Sequence, residues 1–198
     1  MTIDGDFSPK VVVTSRSFAK SAILREELLR VFPNSFFNDH RQKLLGEKMT
    51  GFIGDADAAI VGVETIDDSV LKHTTKLKII SKYGVGLDNI DQESLKNRDI
   101  FLGWTGGTNK RSVSELTLCF MLGLCRNVFG SSFKLKKLEW EKDGGHQLSG
   151  KTVGIIGCGH IGSDIARLLS PFGCNVLVYD IVDKSDFCIK QGISQVSL

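Results

Sequence analysis

Residues 151–180 read KTVGIIGCGHIGSDIARLLSPFGCNVLVYD, and this stretch decides the fold of the second half of the chain. Residues 151–156 are rich in β-branched side chains, which predicts a strand. Residues 161–170 have helical periodicity and end at Pro171, which cannot continue a helix. Residues 175–179 predict a second strand. The order strand, helix, strand predicts two parallel strands joined by a helical crossover.

Glycines lie between the first strand and the helix in the pattern G-x-G-x-x-G. We expect Gly157 to permit the tight turn, Gly159 to let the backbone approach a pyrophosphate, and Gly162 to let the helix lie close to the strand. An aspartate follows eighteen residues after the last of these glycines, at the end of the second strand, where a carboxylate binds the hydroxyls of an adenosine ribose. The predicted dinucleotide site consists of Gly157, Cys158, Gly159, His160, Ile161, Gly162 and Asp180.

Asp180 also indicates which dinucleotide binds. Its carboxylate repels the 2'-phosphate of NADP, and neither Ile181 nor Val182 supplies a positive charge to attract one. The sequence therefore predicts NAD as the cofactor. The alternative is that the glycines form an ordinary turn followed by a surface aspartate.

A second phosphate-loop pattern overlaps the first. Residues 145–152, GHQLSGKT, match G-x-x-x-x-G-K-T, which is typical of ATP and GTP enzymes. Such a loop must follow a strand and lead into a helix. Here WEKDG precedes the pattern and the predicted strand VGIIG follows it, which is the reverse order. We interpret the match as a turn that runs into a strand.

Strands and helices also alternate upstream. Predicted strands cover 10–14, 58–63, 77–81 and 100–102, and predicted helices cover 67–73, 92–97 and 18–32, the last with Ile23, Leu24, Leu28 and Val31 on one face. This alternation predicts an α/β protein with a parallel sheet covered by helices on both faces, followed by a second sheet that carries the dinucleotide fingerprint. A helix at 109–127 is almost continuously apolar, so we expect it to be packed between layers. We place a domain boundary within 103–110.

The composition excludes several classes of protein. The chain has 198 residues, of which 41% are hydrophobic and 24% charged, which suits one or two folded domains. Its net charge of +2 gives no broad positive field for nucleic acid or an anionic membrane. The most apolar helical segment, residues 116–125, is shorter than the roughly 20 residues that cross a bilayer. Five cysteines without a C-x-x-C pair, and an acidic N-terminus unlike a secretory signal, predict a cytoplasmic protein without a metal site.

Three stretches give the chain a resemblance to a known family: KYGVGLDNID at 82–91, NKRSVSELTLCFMLGLCRN at 109–127 and LSGKTVGIIGCGHIG at 148–162. The chain resembles the D-isomer-specific 2-hydroxyacid dehydrogenases, and most of all their phosphoglycerate dehydrogenase-like branch. The resemblance implies an NAD-dependent oxidoreductase that acts on the CH–OH group of a D-2-hydroxy acid or reduces a 2-keto acid. It also implies a homodimer. The implied α/β domains are a flavodoxin-like parallel-sheet substrate domain at 1–104, an interdomain helical region at 105–147 and an incomplete Rossmann (doubly wound) NAD-binding domain at 148–198.

The resemblance also implies that the segment 83–91 holds the substrate carboxylate with its backbone N–H groups. The residues fit this role because Gly84 and Gly86 permit a bend lined by amides. Lys82 adds a positive charge suited to a carboxylate or phosphate, although it could equally be an exposed cation. The implied substrate-binding residues are Lys82, Tyr83, Gly84, Val85, Gly86 and Asn89.

The chain departs from the family pattern in two ways. Gly62 and Lys82 stand where the branch often has arginine, which weakens 3-phosphoglycerate as the particular substrate but not the class of 2-hydroxy or 2-keto acids. The family's catalytic Arg, Glu and His motifs have no counterpart here. None of the four histidines, His40, His73, His146 and His160, is expected to replace the base, because they lie in turns, at a helix end or in the glycine loop. We therefore assign no catalytic residue.

The resemblance implies a nucleotide sheet of about six strands, but this sequence reaches only Leu198, shortly after Asp180, so we expect the nucleotide sheet to have two strands. Its edge would then be unpaired, and the apolar face formed by Val153, Ile155, Val176 and Val178 would be uncovered. For this reason we expect the chain to bind NAD weakly or not at all. Two hypotheses follow: an enzyme whose catalytic segment comes from further residues, or a catalytically inactive, truncated product with a residual binding or assembly role through residues 109–140.

Overall fold

The computed structural model describes residues 8–40, 42–141 and 144–198. The chain divides into two compact units, Met1–Gly106 and Gly107–Leu198. The interdomain role of residues 105–147 stays a prediction, and each unit is described by itself below.

The first unit contains a five-stranded parallel sheet in the order β2-β1-β3-β4-β5. This is the strand order of flavodoxin-like folds, and it confirms the predicted α/β architecture. Short runs such as VVV form strands because branched side chains fit a pleated, buried surface. The elements are β1 Val11–Val13, α1 Arg16–Lys20, α2 Ala22–Val31, β2 Ser35–Phe37, α3 Glu47–Ile53, β3 Ala58–Val61, α4 Asp68–Leu71, β4 Ile79–Lys82, α5 Gln92–Lys96 and β5 Phe101–Gly103.

The core of this unit forms where the central strands meet the helices. Val12, Val61 and Ile80 are buried on β1, β3 and β4, and Met49 and Ile53 of α3 belong to the same apolar cluster. All strands run in the same direction, so their carboxyl ends lie at one edge of the sheet. The buried strands therefore fix the start of each loop that leaves this edge.

Two local predictions for this unit were wrong. The single helix expected at 18–32 is two helices, because Ser21 ends α1 through its backbone and caps α2 through its side chain, which accepts from the N–H of Leu24. The apolar face expected on that helix is not buried, since Ile23 and Val31 remain exposed. The sequence analysis also missed β2 and α3, whose short segments have little periodicity.

The second unit contains a three-stranded parallel sheet in the order β6-β7-β8. The predicted strand, glycine loop, helix and strand are all present, and β6 pairs with β7 over five residues. Its elements are α6 Lys110–Cys125, α7 Val128–Lys136, β6 Thr152–Ile156, α8 His160–Leu169, a 3-10 turn at Ser170–Phe172, β7 Asn175–Tyr179, α9 Ser185–Gln191 and β8 Ser194–Gln195.

The prediction of a two-stranded sheet with an uncovered apolar face was wrong. The segment after Asp180 forms α9, and Gly192 ends that helix in the left-handed conformation, so the chain returns to pair β8 with β7. The apolar face is covered: Ile155, Val176 and Val178 are buried in one cluster with residues of α8 and α9. Val153, the fourth residue of that face, packs against the same cluster and is partly buried.

The sequence predicted that the long helix α6 is packed between layers. The structure shows that only part of its surface is packed. One side, with Leu118, Met121 and Leu122, packs against the core of the second unit. On other parts of its surface, Leu116 and Leu124 are exposed. In the part of the chain that the structure describes, no single helix meets the length and hydropathy needed to cross a membrane; α6 and α7 meet them only when taken together, with a 68° bend between them.

An ion pair fixes α6 to the helix of the glycine loop. Nη2 of Arg111 on α6 lies 2.9 Å from Oδ1 of Asp164 on α8. The Asp164 side chain is only 4% exposed, whereas that of Arg111 is 52% exposed. The pair therefore compensates a buried carboxylate and holds α8, which carries the end of the glycine loop, in one orientation.

Candidate functional site

The glycine loop of the second unit requires glycine at two positions for different reasons. Gly157 has a φ of +92°, which side-chain-bearing residues rarely adopt. At Gly162 the reason is space, because a Cβ there would lie 2.0 Å from the carbonyl oxygen of Gly157. The first turn of α8 therefore touches the loop backbone, as the sequence pattern predicted.

Gly159 has a different environment. A Cβ built on it would meet no atom within 4 Å, so the space in front of the loop is open. Gly159 is also the N-cap of α8, and the first N–H groups of a helix have no acceptor within the helix. Open space beside free N–H donors at the start of a ten-residue helix suits the pyrophosphate of a dinucleotide.

Asp180 lies at the end of β7 and contacts the glycine loop directly. Its Oδ2 accepts a hydrogen bond of 2.6 Å from the N–H of Cys158, and its Oδ1 accepts one of 2.9 Å from the N–H of Val182. The hydrogen bonds from Val182 and Cys158 lower the pKa of Asp180 from its ordinary value. Each carboxylate oxygen keeps a second lone pair, so an ionised Asp180 can still accept from ribose hydroxyls.

Two further residues of the loop have defined surroundings. The Cys158 side chain is buried, and this burial raises the pKa of its thiol, which disfavours the reactive thiolate. The imidazole of His160 lies against Gly107, where a Cβ would come within 2.5 Å of the ring. Gly107 has a φ of +70°, so both conformation and space require glycine there. Sequence analysis missed Gly107 because it lies far from the fingerprint.

The predicted substrate loop of the first unit follows β4. The N–H of Tyr83 donates to the carbonyl of Val61, and the indole of Trp104 donates to the carbonyl of Val85 over 2.9 Å. Gly84 has a φ of +127°, which gives the bend that the sequence predicted. Among the described residues, the N–H groups of 84–86 have no hydrogen-bond acceptor. These three amides remain available for an anion, while that of Tyr83 does not.

Lys82 and Asn89, both predicted to bind substrate, hydrogen bond to each other and to the neighbouring loop. Nζ of Lys82 donates to Oδ1 of Asn89 over 2.7 Å and to the carbonyl of Gly62. The amide of Asn89 also donates to the carbonyls of Gly62 and Glu64. Burial lowers the pKa of Lys82 from its ordinary value, although the charges of Asp88 and Glu64 oppose the shift. The two side chains therefore brace the loops after β3 and β4, and their contact with substrate stays a prediction.

The sequence analysis missed the role of Glu64. Its Oε2 accepts from the N–H of Gly62 over 2.7 Å and from the hydroxyl of Thr14 over 3.1 Å, so it connects the ends of β1 and β3. A glutamate three residues after the end of β3 was the available signal, but only the strand order shows which strand it reaches. Across residues 8–40, 42–141 and 144–198, no group of three or more His, Cys, Asp or Glu side chains is placed to hold a metal ion.

Comparison with known proteins gives the family. Residues 118–198 match the model of the D-isomer specific 2-hydroxyacid dehydrogenase NAD binding domain. The chain is 34% identical over 156 residues to D-3-phosphoglycerate dehydrogenase of Methanocaldococcus jannaschii and 34% identical over 146 residues to hydroxypyruvate reductase of Thermotoga maritima. The chain is therefore similar to members of the D-isomer-specific 2-hydroxyacid dehydrogenase family over most of its length.

The matches to these family members are partial. They cover 77% and 72% of this chain, but only 30% and 47% of the two relatives, so the chain spans less than half of their length. The structure of a D-isomer specific 2-hydroxyacid dehydrogenase from Polaromonas superposes with a TM-score of 0.83 at 22% identity, covering 96% of this chain and 60% of that one. This likeness concerns the fold alone. The predicted family and α/β fold are confirmed, and the predicted NAD agrees with the family domain that matches.

Proposed function

We propose that this protein is an NAD-dependent oxidoreductase that acts on the CH–OH group of a D-2-hydroxy acid, or that reduces the corresponding 2-keto acid. The contact between Asp180 and the glycine loop supports the proposal most, because a carboxylate able to accept from ribose hydroxyls lies against the loop that contains the open space at Gly159. The family match supports the reaction class. The particular acid is left open, since the two relatives named above are a phosphoglycerate dehydrogenase and a hydroxypyruvate reductase.

The residues of this chain have binding roles in the proposal. The first N–H groups of α8, from His160 and Ile161, hold the pyrophosphate, and the ionised Asp180 holds the adenosine ribose. The N–H groups of 84–86 hold the substrate carboxylate, with Lys82 and Asn89 fixing the loop that presents them. When bound, NAD supplies the hydride acceptor. The catalytic base is not assigned to any residue of this chain.

Replacing Asp180 with alanine is expected to weaken NAD binding by about tenfold or more, because hydrogen bonds to a charged group are lost. The same change is expected to reduce discrimination against NADP. Saturation-transfer NMR suits the measurement, since it detects weak binding as well as tighter binding. Asp186→Ala removes an exposed carboxylate from the nearby α9 and serves as the control.

The pH dependence gives a second readout of the same variant. Because the pKa of Asp180 is lowered, its carboxylate stays charged as the pH falls below neutrality, and its contribution to NAD binding is lost only as the pH passes through that lowered pKa. Equal NAD affinity in wild type and Asp180→Ala would contradict the assignment. No NAD binding by the wild type at any concentration would refute the cofactor proposal for this chain.

We also propose that two copies of the chain associate, as the family resemblance implies. Leu116, Phe120 and Leu124 of α6 are each at least half exposed, and such an apolar surface is typical of an interface. Sedimentation analysis is expected to give a mass twice the 21.7 kDa of the chain. Leu124→Glu should give the monomer, whereas Ile23→Glu, which changes an exposed apolar residue of α2, should not. A monomeric wild type would argue against this proposal.

A cytoplasmic location remains part of the proposal. It is supported by five cysteines that are all free thiols in the structure, as expected for a reducing compartment.

A further inference from the structure

A pocket of about 420 Å³ lies in the first unit at the carboxyl end of the sheet. One side is formed by the segment after β1, residues 15–17 together with Lys20. The other side is formed by residues 62–64 after β3 and by Tyr83 after β4. All the described residues that line this pocket belong to the first unit.

The position of the pocket follows from the strand order. In the order β2-β1-β3-β4-β5, the chain reverses the direction in which strands are added between β1 and β3. Loops leaving the carboxyl ends of the strands separate at such a point and leave a crevice, where ligands of open α/β sheets bind. The pocket lies between the loops after β1 and β3, which places it at this reversal.

The shape of the pocket depends on Gly62. A Cβ at this position would lie 2.9 Å from the hydroxyl oxygen of Ser15, so a larger residue would push apart the two loops. The Ser15 hydroxyl in turn approaches that of Ser17 at 3.2 Å and accepts from the N–H of Phe18. These contacts hold the start of α1 against the end of β3.

The charges of the pocket favour an anion. Among the residues that the structure describes, neither Arg16 nor Lys20 has an ion-pair partner, and both line the pocket. Glu64 is the one acidic residue of the lining, and its carboxylate already accepts from the N–H of Gly62 and the hydroxyl of Thr14. Among the described residues of the lining, two cations without an ion-pair partner therefore stand against one carboxylate that is already hydrogen bonded.

The pocket reaches the first residue of the proposed carboxylate loop. Tyr83 lines the pocket, and its ring is fixed edge-to-face on that of Phe18, with 5.3 Å between ring centroids. The next three residues, 84–86, are those whose N–H groups have no acceptor among the described residues. Tyr83 therefore connects the wall of the pocket to the loop whose amides remain available for an anion.

We propose that this pocket binds a distal anionic group of the substrate, with Arg16 and Lys20 supplying the positive charge. The substrate is then a 2-hydroxy or 2-keto acid that carries a second anion, either a phosphate or a carboxylate, at its far end. The inference rests on the proposed function and narrows its substrate class. It adds Arg16 as a residue that determines specificity.

This inference is tested by NMR titration of the full chain with each of four ligands. D-lactate carries one anion, D-malate carries a second carboxylate, 3-phospho-D-glycerate carries a distal phosphate, and inorganic phosphate probes the pocket alone. At least one of the two dianionic acids is expected to bind about tenfold tighter than D-lactate, and Arg16→Gln is expected to remove that advantage. The tighter of the two identifies the distal group. Arg30→Gln, an exposed arginine on α2, should leave every affinity unchanged.

The outcomes separate the inference from the proposed function. Dianionic acids that bind no tighter than D-lactate, or an advantage that survives in Arg16→Gln, overturn the inference and leave the function in place. Phosphate binding that Arg16→Gln weakens, with no binding of any 2-hydroxy acid, supports the anion pocket and overturns the function. Absence of binding by both dianions and by phosphate overturns the inference. Folding of each variant is checked by the dispersion of the same NMR spectra.

Discussion

Replacing Gly162 with alanine is expected to destabilise the second unit by about 3 kcal/mol, at the upper end of overpacking effects. The new Cβ would lie 2.0 Å from the carbonyl oxygen of Gly157 and 3.1 Å from Cγ2 of Ile155. The first of these atoms belongs to the backbone of a tight turn, so it cannot move aside as a flexible side chain can. Either α8 shifts away from β6 or the glycine loop opens, and both changes displace the N–H groups proposed to bind pyrophosphate.

Urea unfolding and hydrogen exchange measure this effect. Exchange in β6 and α8 should accelerate in Gly162→Ala, and NAD binding should fall with it. Gly154→Ala is the matched control, because Gly154 lies in β6, has an ordinary φ, and a Cβ added there would meet no atom within 4 Å. Alanine there should be neutral or slightly stabilising. Equal stability of Gly162→Ala and Gly154→Ala would show that the close approach is not as described.

Replacing Arg111 with alanine is expected to cost about 3 kcal/mol, since it leaves a buried carboxylate without its partner. The Asp164 side chain is 4% exposed, and its Oδ2 has no hydrogen-bond partner among the described residues. Arg111 is itself half exposed, so its loss removes little packing. The cost is therefore assigned to the uncompensated charge rather than to a cavity.

The two side chains of the ion pair differ in solvent exposure, and this difference supplies the control. Asp164→Ala leaves a half-exposed arginine that water can solvate, so it should cost less than Arg111→Ala. The double variant should recover part of the loss, which a double-mutant cycle of urea unfolding measures as a coupling energy. Arg126→Ala, at the exposed C-terminal end of α6, should be nearly neutral. If Arg111→Ala costs no more than Arg126→Ala, the ion pair does not hold α6 to α8.

The predictions that held came from local patterns. The strand, glycine loop and helix at 151–170 were predicted correctly because three local signals agree within one short stretch. These signals are the periodicity of the apolar residues, the glycines of the turn and the proline at 171 that ends the helix. The position of Asp180 followed from the same unit, since one parallel crossover brings the end of β7 beside the loop after β6. In each case the decisive residues lie close in sequence or are joined by a single helix.

The predictions that failed concerned the surface against which each helix or strand packs. The apolar sequence of α6 predicted burial on all sides, but a single helix cannot reveal that only one side has a partner. Strand β8 has two residues, too few to show alternation, and it forms because Gly192 turns the chain back toward β7. Helices α8 and α9 cover the apolar face of the β6–β7 pair that was expected to be open.

The sequence by itself determined the resemblance to the family, the α/β class, the glycine loop and the position of Asp180, because these depend on residue types at fixed short spacings. Only the tertiary structure showed that Lys82 and Asn89 brace two loops, that Arg111 compensates Asp164, and that Arg16 shares a pocket with Gly62 and Tyr83. These residues are separated by many positions along the chain. The order of strands in a sheet and the packing of helices bring them together, and both arise from burial of apolar surface across the whole unit rather than from any local pattern.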